Sequence, residues 1–337
     1  MLKSYIQKVS DREFLSREEA SQAMTEMLTD DTSDVHRAAF LTALRTRGET
    51  AEELAGFLTA LRSRMKRVTC QDENAVDVCG TGGDGSNSFN LSTASALVAA
   101  AGGVTVAKHG NRAISSRSGS ADFLQALGVP IDGTDTQAET ALADDKFAFL
   151  FAPNFHPAMK AVAPVRRALG MRTAFNLLGP LANPAGVKRQ LVGVFHGQWL
   201  EPVTRTLAQT GSVHVLSVHG EGGLDEISAC GNTDICEYRD GTIERKRLQP
   251  EEIGVSRSSR DAIAGGSAEE NVVRFLRMAN GHESELREWV VANAAPAFYL
   301  AGQAESLPEG ATLARDVIVS GTLAMYLSTL RNGSASA

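Results

Sequence analysis

Apolar positions in residues 1–70 recur at helical spacing, and capping signals punctuate them. Ser16 is followed by Glu19 and Thr50 by Glu53, each pair ahead of an apolar run, the reciprocal arrangement that opens a helix. Between them, DVHRAAFLTALRTRG runs from Asp34 to Gly48 with Ala39, Leu41 and Leu44 on one face. Its final glycine suits the position just past a last helical turn. Nothing in this region alternates as a strand does. It ends in the basic stretch LRSRMKRV, expected to be a solvated helix end.

The texture changes at residue 75. AVDVCG reads as a short buried strand, and STASALVAAAGG as a helix with Ser92 or Asn90 at its N-cap. VTVA at 104–107 reads as a second strand, followed at once by KHGN. Strand, loop, helix and strand in that order form a unit with parallel strands. FAFLFAP (147–153), QLVGVFH (190–196) and VHVLSVHG (213–220) add further strands. The last third is mostly helical: Ser267 and Glu270 form another capping pair, and ATLARDVIVSGTLAMYLSTL reads as one long helix. A proline-rich segment, 153–184, interrupts this pattern. It predicts a helix from Pro157 to about Leu169, closed by Gly170, within a helical insertion that rejoins the N-terminal helices.

With 337 residues, of which 43% are hydrophobic and 22% charged, the chain is long enough for one large domain or two ordinary ones. A net charge of −7 argues against general binding to nucleic acid or anionic membranes, while leaving room for a local basic pocket. Cys70, Cys79, Cys230 and Cys236 are scattered, with no C-x-x-C pair, which fits a reducing compartment. The N-terminus lacks an apolar signal core, and no run approaches the ~20 apolar residues of a membrane span. The expected location is the cytoplasm, with no membrane or nucleic-acid partner.

The stretch DVCGTGGDGSNSFNLSTASAL (77–97) carries the first candidate chemistry. Gly80, Gly82 and Gly85 satisfy the G-x-G-x-x-G spacing of dinucleotide sites, but that spacing is weak without its context. Asp84 sits inside the loop, where a carboxylate repels a pyrophosphate unless it orders loop amides or a metal intervenes. SNSFN delays the helix, and the next strand ends in Lys108-His109 rather than in a ribose-binding carboxylate. The alternative is an anion site spread over several loops. Gly80, Gly82 and Gly83 allow close backbone approach, Asn90, Ser92 and Thr93 cluster at a helix N-terminus, and Lys108 adds a full positive charge.

KHGNRAISSRSGSAD (108–122) follows, with Arg112, Ser115, Ser116 and Ser120 among its cations and hydroxyls, a composition that suits a second phosphate. In LDEIS (224–228), Asp225 and Glu226 follow a strand and are bracketed by apolar residues. Adjacent carboxylates of this kind either stay solvated or hold Mg²⁺ on a pyrophosphate.

Taken in order, GTGGDG (80–85), NLST (90–93), KHGN (108–111), SGSAD (118–122), RRALGMRTAFNLLGPLANP (166–184) and LDEIS (224–228) closely resemble the anthranilate phosphoribosyltransferase family over nearly the whole chain. The resemblance implies an α/β protein: a small all-helical domain (1–70 with about 160–186) and a large domain (75–159 and 187–332) with a central, mostly parallel sheet flanked by helices, then a disordered tail (333–337). It implies a Mg²⁺-dependent glycosyltransferase that joins the phosphoribosyl group of phosphoribosyl pyrophosphate to the amine of anthranilate, in tryptophan biosynthesis. It also implies two Mg²⁺ per subunit, a homodimer through the helical domain, and an anthranilate synthase subunit as a candidate partner.

Carried over residue by residue, the resemblance places Gly80, Gly82, Gly83, Asp84, Ser88, Asn90, Leu91, Ser92, Thr93, Lys108, His109, Gly110, Asn111, Arg112, Ser115, Ser116 and Ser120 on phosphoribosyl pyrophosphate. It places Gly80, His109, Asn111, His156 and Arg166 on anthranilate, and Ser92, Asp225 and Glu226 on the metal. Ser88, Leu91 and Arg117 stand where the family often has Thr, Ile and Lys. The reaction needs no covalent nucleophile, because an amine displaces pyrophosphate at C1 of the ribose. Positioning and charge stabilisation carry it, with Lys108 as the electrostatic residue and no acid or base assigned. The rival readings are a pyrimidine nucleoside phosphorylase of similar architecture, a nucleic-acid-binding paralogue and a dinucleotide-dependent dehydrogenase.

Overall fold

A computed structural model describes residues 2–113 and 117–333 of the chain. Ser115, Ser116 and residues 334–337 of the expected tail lie outside the described residues.

Four helices open the chain: Leu2–Ser10, Arg17–Met27, Asp34–Arg47 and Ala51–Ser63. Ser16 with Glu19 and Thr50 with Glu53 both form complete capping boxes, so local sequence alone starts these helices where expected. Gly56 lets two of them cross closely, since a β-carbon there would come within 2.3 Å of the Arg17 carbonyl oxygen. The basic end is only partly solvated: Arg62 turns inward and donates to the carbonyls of Leu181 and Thr210 at 2.8 and 3.0 Å.

The sheet has seven strands: β1 Val76–Gly80, β2 Val106–Gly110, β3 Phe147–Phe151, β4 Arg189–Gly193, β5 His214–Gly220, β6 Thr233–Arg239 and β7 Thr242–Leu248. Their order is β3-β2-β1-β4-β5-β6-β7. β1 to β5 are parallel, and β6 and β7 are antiparallel additions at one edge. The expected mostly parallel sheet flanked by helices is therefore present.

Local details differ from the sequence reading, each for a stated reason. β2 begins two residues later than VTVA and includes Lys108 and His109, because Val106 pairs with both Val76 and Phe147. Pro164 divides the expected 157–169 helix into a 3₁₀ turn (Pro157–Ala161) and a short α-helix (Ala163–Leu169), since its ring cannot donate to the preceding turn. Gly321, at φ +82°, splits the expected long C-terminal helix into Leu307–Val319 and Thr322–Gly333. The β6–β7 hairpin was unforeseen, although its turn is Asp240-Gly241 with both residues at positive φ, a strong hairpin signal.

The apolar faces form two large cores. One holds the β1, β2 and β3 face, the helix Leu91–Ala101 and the C-terminal helices. The other is continuous from the N-terminal bundle through Val162–Ala182 to Val192, Trp199, Val203 and Val215 on the opposite side of the sheet.

Candidate active site

The strand order reverses between β1 and β4, at the point where open α/β sheets bind ligands beyond their carboxyl ends. Gly80 and Gly193 are paired across that point. Asp225 lies directly over them: a β-carbon on Gly193 would stand 1.6 Å from the Asp225 carbonyl oxygen, and one on Gly80 2.5 Å from Asp225 Oδ2. Only a doubly bare strand end leaves room for the carboxylate segment. Asn293 clamps that segment from the helix Glu285–Leu300. Its Oδ1 accepts from Ile227 N–H at 2.8 Å, and its Nδ2 donates to the Ile227 carbonyl at 3.0 Å.

The glycine loop closes onto the same carboxylates. Gly82 N–H donates to Asp225 Oδ2 at 2.7 Å, so this amide is committed within the protein rather than free for an anion. Asp84 Oδ1 accepts from Ser86 N–H and Oγ–H, which orders the loop, while its Oδ2 is buried with no hydrogen-bond partner among the described residues. Burial, and then the neighbouring Asp84, raises Asp225 above the usual carboxylate range; burial and Asp225 do the same to Glu226.

Asn90, not Ser92, is the N-cap of the helix Leu91–Ala101, and its side chain makes no capping bond. Glu226 Oε1 accepts from Ser92 N–H instead, at 3.2 Å. The Asn90 amide ties loops together: it donates to the Ser118 carbonyl and accepts from Ser118 Oγ–H and Asn271 Nδ2–H. Thr93 Oγ1 is buried with no partner among the described residues. Lys108, 1% exposed, donates to the Val78 carbonyl at 2.6 Å and to Ser92 Oγ at 3.3 Å. Burial lowers its pKa, and the buried Asp77 opposes that most strongly. Asp77 in turn accepts from His109 N–H and Asn183 Nδ2–H, joining β1, β2 and the helical insertion.

Two clefts meet here. The first, about 230 Å³, is lined by the expected residues between Gly80 and Thr93, by Lys108 to Asn111, and by Ser120, Asp225 and Glu226. The structure does not bring the Arg112 guanidinium to it, because Asp122 and Gln125 hold that group outside. Leu91 is fully buried, so its side chain belongs to the core. The second cleft, about 410 Å³, is more apolar and includes Gly80, His109, Asn111, His156 and Arg166, with Phe175 and Met159. Gly80 and His109 to Asn111 line both.

Arg166 lies over the Phe175 ring at 5.2 Å and meets no carboxylate among the described residues. His109 and His156 sit 5.0 Å apart. Burial, with His156 adding to it, holds His109 down at about 3, and burial holds His156 at about 4, so both rings are neutral at neutral pH. Sequence reasoning missed Asp77, Gly193, Asn183 and Asn293. Only Gly193, a glycine at the end of an apolar run, carried a local signal.

No group of three His, Cys, Asp or Glu side chains is gathered at metal-ligand distance among the described residues. Asp84, Asp225 and Glu226 nevertheless converge with one oxygen unpartnered. That donor set fits a hard divalent cation completed by phosphate oxygens and water. Among the described residues, no helix is long and apolar enough to cross a membrane.

Comparison with known proteins agrees from end to end. Residues 3–65 match a glycosyl transferase family helical bundle domain, and residues 72–324 match a glycosyl transferase family a/b domain. The anthranilate phosphoribosyltransferase of Anaeromyxobacter dehalogenans (strain 2CP-C) is 47% identical over 95% of each chain. The crystal structure of the Thermus thermophilus enzyme superimposes with a TM-score of 0.92 at 43% identity, covering 98% of this chain and 99% of that one. The Saccharomyces cerevisiae enzyme in complex with phosphoribosyl pyrophosphate and Mg gives 0.88 at 28% identity, over 100% and 98%. The same yeast enzyme with 4-fluoroanthranilate also gives 0.88, at 26% identity over the same shares. A sheet edge built from paired glycines and carboxylates, both domain matches, and near-half identity over almost full length place the chain in the anthranilate phosphoribosyltransferase family.

Proposed function

We propose that the chain transfers the phosphoribosyl group of phosphoribosyl pyrophosphate to the amine of anthranilate, with one substrate in each of the two adjoining clefts. The observation that carries this reading is their shared wall. Gly80 and His109 to Asn111 separate a polar cleft rich in amides, hydroxyls and one buried lysine from an apolar cleft whose arginine meets no carboxylate among the described residues. C1 of the ribose would sit at that wall, where the amine can reach it.

In the polar cleft, Thr93 Oγ, the helix N-terminus at Ser92 and the Lys108 ammonium face the phosphates. Lys108 is buried and held by two acceptors, so its charge is oriented before the reaction begins. In the apolar cleft, the planar Arg166 guanidinium receives the anthranilate carboxylate with two parallel hydrogen bonds. Neutral His109 and His156 form a polar wall beside the aromatic ring without competing as cations. Nothing here removes a proton before attack, since an aromatic amine attacks in its neutral form.

Asp84, Asp225, Glu226 and Ser92 would hold Mg²⁺, which when bound neutralises charge on the departing pyrophosphate. Two ions per subunit are part of this proposal, with the converging carboxylates of Asp84, Asp225 and Glu226 as the protein's donors. Homodimerisation through the helical bundle belongs to the same proposal, supported by the exposed apolar side chains of Phe14 and Val35. The nucleoside phosphorylase and nucleic-acid-binding readings are not favoured, because relatives and solved neighbours agree on the transferase.

Loss of anthranilate fluorescence on adding phosphoribosyl pyrophosphate and Mg²⁺ tests the reaction, and an unchanged signal overturns it. Replacing Asp225 by Asn together with Glu226 by Gln should nearly abolish Mg²⁺-dependent turnover. Near-normal rates in that variant would leave the pair as structural acceptors for the Gly82 and Ser92 amides.

A further inference from the structure

We propose that Arg172 is a positioning residue that couples the two clefts, so that each substrate tightens binding of the other; this rests on the function proposed above. Arg172 lies in the short connection between the helices Ala163–Leu169 and Ala174–Leu181. Those helices carry Arg166, Phe175 and Gly179, which line the apolar cleft. The guanidinium reaches the other way, and Nη2 donates to the Gly83 carbonyl of the glycine loop. A β-carbon on Gly83 would lie 3.4 Å from Arg172 Nε, so the two groups are in packing contact as well.

The grip is reinforced from behind. The Arg172 guanidinium lies 4.2 Å from the centroid of Phe195. Phe195 N–H donates to Thr81 Oγ1 at 3.0 Å, and Thr81 N–H donates to the Gly193 carbonyl at 2.9 Å. Loop, arginine, aromatic platform and loop root thus close into a ring at the point where the strand order reverses.

The consequence follows from peptide geometry. In a trans peptide the carbonyl and the next N–H point in opposite directions. Holding the Gly83 carbonyl from the side of the helical insertion turns the Asp84 N–H toward the polar cleft, which Asp84 lines. Gly83 stands at φ +71°, a conformation glycine leaves easily, so the loop needs an external hold to present that amide. A ligand that fixes the walls of the apolar cleft fixes Arg172, and with it the pyrophosphate-side loop. By linkage the effect runs equally in both directions.

Initial rates measured over a grid of both substrate concentrations give the factor by which one substrate lowers the dissociation constant of the other. We expect about tenfold for the native chain, the scale of one charge-assisted hydrogen bond. Arg172→Met should bring the factor below about twofold while leaving the Tm nearly unchanged. Arg172→Lys keeps the charge but loses the planar fork, and should fall between. A native enzyme that turns over without mutual tightening overturns the inference, as does Arg172→Met with the native factor. A native chain that does not turn over at all would instead sink the proposed function.

Discussion

Replacing Gly193 by alanine should disable the site without entering either cleft. The added β-carbon would stand 1.6 Å from the Asp225 carbonyl oxygen, where ordinary contact begins near 3.4 Å, so nearly 2 Å of movement is required. The opposing atom is backbone, and Gly193 is fixed in the ladder opposite Gly80, so no side chain can swing aside. The carboxylate segment must rise instead. It carries Asp225 away from Gly82 N–H and Glu226 away from Ser92 N–H.

A misplacement of about 1 Å in a positioned site costs on the order of a hundredfold in rate, or ~2.7 kcal/mol of transition-state stabilisation. Overpacking should cost only ~1–3 kcal/mol of stability, so the variant still folds. Gly133→Ala is the matched control, since its β-carbon would meet nothing closer than 3.7 Å. The assay is kcat at saturating substrates and Mg²⁺, with thermal melting as the check on folding. A folded Gly193→Ala enzyme within about threefold of native kcat would refute the account of why this position is bare.

Arg166→Ala should raise the KM for anthranilate far more than that for phosphoribosyl pyrophosphate; equal increases would remove its carboxylate role. Glu53 is fully buried and accepts from Arg47, Thr50 and the Leu15 amide. Glu53→Ala should therefore cost ~3–5 kcal/mol in urea unfolding, because the buried Arg47 side chain loses its carboxylate and keeps only the Gly48 and Glu13 carbonyls as partners. Lys8→Ala, which breaks a part-exposed pair with Glu19, should barely move the urea midpoint, and similar losses from both would refute the distinction. His109 and His156 titrate far below their ordinary 6.5 in the folded chain, so the unfolded chain binds more protons just below that pH. Stability should be full above about pH 6.5 and fall as the pH drops, by up to ~1.4 kcal/mol per pH unit for each ring. His156→Leu should flatten that slope between about pH 7 and pH 5, and an unaltered slope would mean that the ring takes up its proton as readily in the folded chain as in the unfolded one.

The parts of the molecule legible in its sequence are those set by neighbours in the chain. The boxes at Ser16, Thr50 and Ser267 needed only three residues of context. The glycine loop and the Asp225-Glu226 pair announced themselves by composition. What stayed hidden depends on contacts across long stretches of chain. Asp77 meets Asn183 across 106 positions, and Gly82 meets Asp225 across 143. No local pattern predicts that a loop amide will be spent on a distant carboxylate, or that Glu226 will satisfy the helix end where Ser92 or Asn90 was expected to act. Lys108 was read at the end of its strand, but two residues of register place it inside the sheet, which is why it is buried. The Asp240-Gly241 turn was legible and overlooked, because the charged run TIERKRL does not resemble a strand when only apolar patterns are sought.

The two matched family domains describe a seam in descent, and the continuous core beneath the helical bundle shows that it is not a seam in energy. Leu41, Phe57 and Leu61 share an apolar interior with Leu178, Val192 and Val203, so ordering one part supplies the surface on which the other orders. Cut near residue 70, the chain would yield two fragments that each open to water the apolar face now shared between them.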